Sequence, residues 1–453
     1  MFFFNTKNKF ILFIFSIFVL VKFLLILYLG LNNTQGIGYT WQVLDLDLLK
    51  NDLLNSIFYL HAQPPLWNLF VGILLKLFNG ETQNFYLFLK FYHQCLTALV
   101  IFFFVSIAYY QKISQKVIFW LVFFLIIINP SIIYFEFLNY YAHTIFFLSC
   151  FFIYNFYNYL IYKKNKYLYF CYFILSFKIL IWSAYHPIIL IIFFLFLQFF
   201  FIETRKFKNF LIFFLFLFIT LLPSIKNKII YQSSLNSFFG LNLAITVNGL
   251  IHLPECAIGT IPQNTKKFED IAINKINNKF NFNLKHPSIY GLKSKKNSIG
   301  MIYLSEHCAK KVLNFIRNNP KAYAKRIATE VIVTHGQFII DLGNYIDSPI
   351  GWDLVKKITL KIDNTHTFKI IRQLTNFAVM SFLYICFIFI FIRKKNILDK
   401  KFISILFIMY FYILGVGIFI SKYEGTRFIH AEYIFILVFA LYFFSRNQSL
   451  FRK

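Results

Sequence analysis

The sequence predicts an all-α polytopic membrane protein: about ten transmembrane helices, interfacial helices in the first external loop, and a small extracytoplasmic domain of mixed or mainly α structure. Three observations predict it. Of 453 residues 59% are hydrophobic and only 14% charged, whereas a soluble domain is about 45–50% apolar and about 25% charged. Mean hydropathy is accordingly +0.63. The apolar residues fall into long runs, and Lys and Arg cluster between them. A water-soluble enzyme of several domains is excluded. The 65 Phe read as lipid-facing bulk, and the net charge of +28 must be sorted by membrane side before it implies any partner.

A spanning helix needs about 20 mostly apolar residues. The runs that approach this are 10–31, 87–110, 117–134, 140–162, 167–184, 188–202, 210–222, 371–392, 402–420 and 428–444. Residues 66–78 are apolar but short. If that segment does not cross, every short-loop basic cluster falls on one side: Lys7 and Lys9, Lys112 and Lys116, Lys163 to Lys166, Arg205 to Lys208, Arg393 to Lys401, and Arg446 to Lys453. Positive charge in short loops marks the cytoplasmic face. Both termini are therefore expected in the cytoplasm of a cell inner membrane, with 66–78 lying in the outer interface. The first run is too long for a cleaved leader and reads as a signal anchor.

The expected organisation is a transmembrane module over 1–223 with its first external loop at 32–79, an extracytoplasmic domain over 224–370, and C-terminal transmembrane helices over 371–453. The middle stretch is far too long for a connection, so it should fold on its own. Cys95, Cys150, Cys171 and Cys386 lie in spans and read as small packing residues. Cys256 and Cys308 lie in the external stretch, where an oxidising compartment permits a disulfide, although spacing alone does not give the Cα separation a bridge requires.

The densest polar information is in the first external loop. Leu44, Leu48, Leu49, Ile57 and Phe58 recur at helical spacing, giving an amphipathic helix that carries Asp45, Asp47 and Asp52. Pro64-Pro65 ends one element and opens the next, leaving His61 and Gln63 on the corner between two helices. Each acid alone could be part of a solvated helix face. Together they place three of only 18 acidic residues beside an imidazole at the membrane surface, where a carboxylate can serve as a general base. His61 reads equally as a structural histidine or a phosphate contact.

His61-Ala-Gln63-Pro64-Pro65-Leu66 after an acidic juxtamembrane helix resembles the first external loop of GT-C glycosyltransferases, the superfamily that includes protein O-mannosyltransferases and lipid A aminoarabinose transferases. The pattern looks closer to a bacterial branch of membrane glycosyltransferases whose motifs continue with Asn129-Pro130, Glu136 ahead of Tyr140-Tyr141, Tyr185-His186-Pro187 and Lys226-Asn227. It covers roughly the first 245 residues. Ala-Gln is inserted between His and Pro-Pro, and Trp182-Ser183-Ala184 stands where the family pattern leads to an Arg. The resemblance implies an inverting transferase that takes a sugar from a polyprenyl-phosphate donor. Asp45 is then the first candidate base, Asp52 the second, and Glu136 a further catalytic group. Substrate contacts fall to Asp47, His61, Gln63, His186, Lys226, Asn227 and, in a late external corner, Arg427.

Physical reading gathers the same segments, since Glu136, His143, His186, Lys226 and Asn227 sit at or near the external ends of spans. Ionisable groups there usually line a cavity or path. The plainer readings are a snorkelling anchor for Lys226, a helix cap for His186, and an i,i+3 pair between Glu424 and Arg427. Lys22 and Lys178 lie inside spans and read as snorkelling or buried against a neighbour. No phosphate-cradling or zinc motif occurs, so no cofactor is assigned; a divalent cation held through Asp45, Asp47 or Glu136 stays open, their spacing not being diagnostic. Expected partners are membrane lipid, the lipid-linked donor and an external acceptor, without nucleic acid. The rival classes are a transporter or flippase of lipid-linked saccharides, which predicts charges deep in several spans, and a non-catalytic assembly protein.

Overall fold

The computed structural model describes residues 6–29, 37, 43–138, 140–201, 204, 206–233, 239–256, 265, 268–274, 297–336, 397–420 and most of 430–441. Helices dominate these residues and no strand is formed among them. Four described helices are long and apolar enough to cross a membrane: Lys7–Leu27, Gln83–Tyr110, Ala142–Tyr162 and Phe207–Tyr231. Among the described residues the architecture is thus all-α, with four helices of a length and composition that suit a membrane crossing. Of the remaining expected spans, 402–420 falls on a 24-residue helix, Ile397–Ile420, while the others are broken, are shorter than a full crossing or lie wholly or partly outside the described residues, as 371–392 and 428–444 do.

The chain opens with α1 (Lys7–Leu29), whose Leu12, Val19, Phe23 and Leu27 are exposed as lipid-facing residues would be, while Lys22 turns inward. The first loop forms α2 (Leu46–Asn51), α3 (Leu53–Phe58) and α4 (Pro65–Leu77). The α2 to α3 break falls at Asp52, whose φ of −135° and ψ of 58° are not helical. Pro65 is the first residue of α4, where its missing N–H costs nothing. Residues 66–78 therefore form a 13-residue helix, too short to span. Leu53 packs where Gly72 has no Cβ: a methyl there would lie 2.2 Å from Leu53 Cδ1.

Next come α5 (Gln83–Tyr110), capped by Thr82 accepting from Phe85 N–H, and α6 (Gln115–Val122), capped likewise by Ser114. α6 runs into a π-helical turn, Phe123–Ile127, closed by Ile128 N–H donating to the Phe123 carbonyl at 3.0 Å. The predicted run 117–134 is thereby divided. Pro130 cannot continue the ladder, and α7 (Pro130–Phe137) restarts with Asn129 Oδ1 accepting from Ile132 N–H.

The bundle continues through α8 (Ala142–Tyr162), α9 (Asn165–Ile181) and α10 (Ile188–Phe200). α11 (Phe207–Tyr231) is longer than its apolar run, passing through Pro223 and carrying Lys226 and Asn227 in its last turns. α5 and α8 are largely enclosed, whereas α1 and α11 face outward over most of their surface. The main core joins these helices with α15 (Ile397–Ile420), whose Phe402, Leu406 and Tyr410 are buried in it.

The stretch after α11 contributes α12 (Phe239–Thr246), a 3-10 turn (Pro254–Cys256), α13 (Gly300–Asn318) and α14 (Pro320–Gly336). Its own core holds Leu241, Leu243, Val247, Met301, Leu304 and Val312, and also Ala62 of the first loop. Cys256 and Cys308 form a disulfide with Cα atoms 6.0 Å apart, tying the 3-10 turn to α13. On α14, Tyr323 donates to the Phe419 carbonyl at 3.0 Å and Arg326 to that of Ile418 at 3.3 Å. These satisfy carbonyls at the end of α15 that lack helical partners.

Candidate functional site

The Pro64-Pro65 motif closes α4 on one side, so residues 59–62 ahead of it must find partners for their backbone groups elsewhere. They find them far away in sequence. Asn297 Oδ1 accepts from the N–H groups of His61 and Ala62, each at 3.1 Å, and its amide donates to the Tyr59 carbonyl at 3.2 Å. Tyr231 O–H donates to the same carbonyl at 2.7 Å, and the Lys226 ammonium donates to that of Leu60. His61 Nε2 lies 3.0 Å from the Asn297 carbonyl, an acceptor only, so Nε2 carries the proton. Burial, then the Lys226 charge, push the imidazole down to about 3, against the smaller opposing pull of the Asn297 carbonyl. His61 is neutral in the folded protein at ordinary pH, and Tyr231 packs edge-on against its ring at 5.0 Å.

The acids of the loop are differently placed. Asp45 sits just ahead of α2, half-buried, and makes no capping hydrogen bond with its side chain. Its position is nevertheless fixed, because the neighbouring Leu44 N–H donates to Asn68 Oδ1 in the first turn of α4 at 2.8 Å. Asp47 is exposed, and Asp52 accepts from the Asn55 amide at 3.0 and 3.3 Å. Gln63 is half-buried on the corner.

Buried rings connect this loop to the other polar corners. Trp67 meets Tyr141 at 6.1 Å, Tyr141 meets Trp182 at 5.6 Å, and Trp182 meets Tyr185 at 5.6 Å. Tyr140 stacks on Tyr141 at 4.2 Å. The line thus joins the first loop, the start of α8 and the 182–187 corner. Trp67 Nε1–H is buried with no hydrogen-bond partner, a vacancy native structures seldom leave. The Lys178 ammonium lies 4.2 Å above the Tyr185 ring and donates to Ser149 Oγ at 2.8 Å. His186 is exposed, and its Nδ1 accepts from Ile188 N–H at 3.3 Å, capping α10.

Glu136 belongs to a second cluster, inside the bundle. It is 1% exposed, and its Oε2 accepts from the Lys22 ammonium at 2.5 Å while Oε1 accepts from Thr97 Oγ1–H at 2.6 Å. Lys22 also donates at 3.3 Å to the Ile127 carbonyl, which the helix break frees. His143 Nε2 lies 2.9 Å from Thr97 Oγ1, His430 Nε2 3.3 Å from His143 Nδ1, and His93 Nδ1 3.3 Å from the Glu136 carbonyl. All are buried.

Of the predicted residues, His61 and Lys226 meet on the clamped corner, and Asp45 is held beside the first turn of α4. Glu136 is enclosed with Lys22, Asn227 is buried with its Oδ1 unpartnered, and Arg427 lies outside the described residues. Sequence reasoning missed Asn297, Asn68, Thr97 and His93. Lys22 inside a hydrophobic run, Glu136 and His143 were each signals for the second cluster, but nothing in the sequence pairs Lys22 with a partner 114 residues away. Among the described residues no group of three or more His, Cys, Asp or Glu could hold a metal ion. No protein-family model, curated protein or solved structure matches the chain, so its function must be argued from its own geometry.

Proposed function

We propose that the chain is an inverting membrane glycosyltransferase that moves a sugar from a polyprenyl-phosphate donor to an acceptor outside the cytoplasmic membrane. In this reading it crosses about ten times, with both termini in the cytoplasm and the loop, the 182–187 corner and α12 to α14 outside. The Cys256–Cys308 bridge supports that side for α12 to α14, because disulfides persist in oxidising compartments.

The observation that carries the proposal is the line Trp67, Tyr141, Trp182, Tyr185, whose Trp67 is next in sequence to Asn68, the acceptor for the Leu44 N–H that adjoins Asp45. It joins three corners distant in sequence into one buried aromatic seam that holds an unpartnered indole N–H. Aromatic faces suit the apolar faces of a sugar ring, and a free N–H suits its hydroxyls. Asp45, uncapped and half-buried, takes the acceptor's proton. The acceptor oxygen attacks the anomeric carbon, the bond from that carbon to the phosphate oxygen breaks, and configuration inverts. Lys226 uses one of its three donors on Leu60, leaving the others and its charge for the departing phosphate.

The test is transfer of labelled sugar from polyprenyl phosphate in membranes containing the expressed chain. Asp45→Asn should lower the rate by about 100- to 10,000-fold. Unchanged transfer in Asp45→Asn/Asp52→Asn would overturn the assignment. A second reading, transport of the lipid-linked saccharide, is favoured by Lys22, Glu136, His143 and Lys178 buried in the helices. It predicts movement of the donor lipid across vesicles without cleavage of its sugar.

A further inference from the structure

The cluster around Glu136 has a fixed hydrogen-bond polarity. A carboxylate facing an ammonium at 2.5 Å can only accept, so Thr97 Oγ1 spends its single proton on Glu136 Oε1. Its longer approach to the His93 carbonyl, 3.4 Å, is the lesser contact. Thr97 must then accept from His143, which makes Nε2 the protonated nitrogen of that ring and Nδ1 the acceptor. His430 therefore donates through Nε2, and its Nδ1 is left as a lone pair with no hydrogen-bond partner. The result is an unbroken donor chain from His430 through His143 and Thr97 to Glu136, ending against Lys22. His93 flanks it, donating through Nδ1 to the Glu136 carbonyl, with its Nε2 lone pair also unpartnered. A buried acceptor without a donor is costly and calls for a reason.

We infer that this chain is a proton relay: a solvent-derived proton that reaches His430 is passed through His143 and Thr97 to the carboxylate of Glu136. The balance is simple. A proton adds to His430 Nδ1, its Nε2–H moves to His143 Nδ1, His143 Nε2–H moves to Thr97 Oγ1, and the Thr97 hydroxyl proton moves to Glu136 Oε1. His430, His143 and Thr97 each end with the proton count they began with, Glu136 becomes a neutral acid, and Lys22 keeps its charge. The cluster gains one positive charge, and Lys22, which also donates to the Ile127 carbonyl at the helix break, loses its ionic partner. The groups facing Glu136 are Lys22 from α1, His93 and Thr97 from α5, and His143 from α8. Tyr92 is turned away to Thr144, and His430 is enclosed by Phe135 and Phe146. The relay is independent of the transferase reading.

The test is time-resolved infrared spectroscopy of the full chain in lipid vesicles after rapid acidification, following the carbonyl stretch of a protonated carboxylic acid. A band is expected that is absent in Glu136→Gln and in the charge-balanced Lys22→Met/Glu136→Gln variant, which keeps no unpaired ion. Thr97→Val, equal in shape but without the hydroxyl, should slow its appearance by about 100-fold, and Thr97→Ser should restore the rate. A band that persists without Glu136, no band at all, or an unchanged rate in Thr97→Val would each overturn the inference.

Discussion

Two buried histidine sites in this protein share a neutral imidazole next to a lysine, and they differ in what satisfies them. Around His61 the bonds run to backbone: Asn297, Lys226 and Tyr231 cover the carbonyls and N–H groups of residues 59–62. Such a corner is a joint, and its chemistry is to hold a shape. Around Glu136 the shortest bonds run between side chains, and two ring nitrogens are left unpartnered. A side-chain network with vacancies can change state in a way that a backbone clamp cannot. Burial of an ionisable residue therefore says little about its role until the partners of every polar atom are known.

The contrast can be broken first at the ion pair. Glu136→Ala strands Lys22 in the bundle and should cost about 3–5 kcal/mol, whereas Lys22→Met/Glu136→Met should recover most of that loss. Thermal inactivation of the two proteins in detergent checks it. If the double replacement is as damaging as the single, the pair is needed for packing and the site is closer in kind to the His61 corner.

The His61 joint has a staple in the helices that clamp it. The Cys256–Cys308 bridge spans 52 residues, and closing a loop of that size restricts the unfolded chain by about 4 kcal/mol. Cys256→Ser/Cys308→Ser should lower the melting transition of α12 to α14 accordingly, while protonation of Glu136 stays unchanged. A parallel loss at both sites would mean that the two regions unfold as one.

A smaller effect sharpens the role of His61. Its folded value of about 3 lies below the unfolded value of 6.5, so the unfolded chain binds the extra proton between them. The neutral ring's contribution is fully present above about pH 6.5 and is lost as pH falls toward about 3, with a slope of up to about 1.4 kcal/mol per unit. His61→Gln should flatten that part of the stability profile. An equally steep profile in the variant would assign the acid sensitivity to another group.

Much of this plan was legible in the residues. Pro64-Pro65 announced the corner, the short run 66–78 is the 13-residue α4, and Asn129-Pro130 marked the helix break. Two things were hidden for physical reasons. Helix continuity depends on backbone bonds as well as hydropathy, so α11 carries on past its apolar run and through Pro223. Pairing across 114 residues has no periodic signature, so Lys22 read as a lone lysine in a span and Glu136 as part of an external corner. Asn297, which clamps the motif loop, lies in a stretch without any pattern to mark it.

The sharpest test of the transferase reading is a cryo-electron microscopy map of the full chain bound to a non-cleavable polyprenyl-phosphate sugar analogue. The account predicts phosphate density at Lys226, with the sugar against Trp67 and its reacting carbon facing Asp45. Phosphate density seated away from Lys226, with no sugar at the Trp67 to Tyr185 seam, would contradict it.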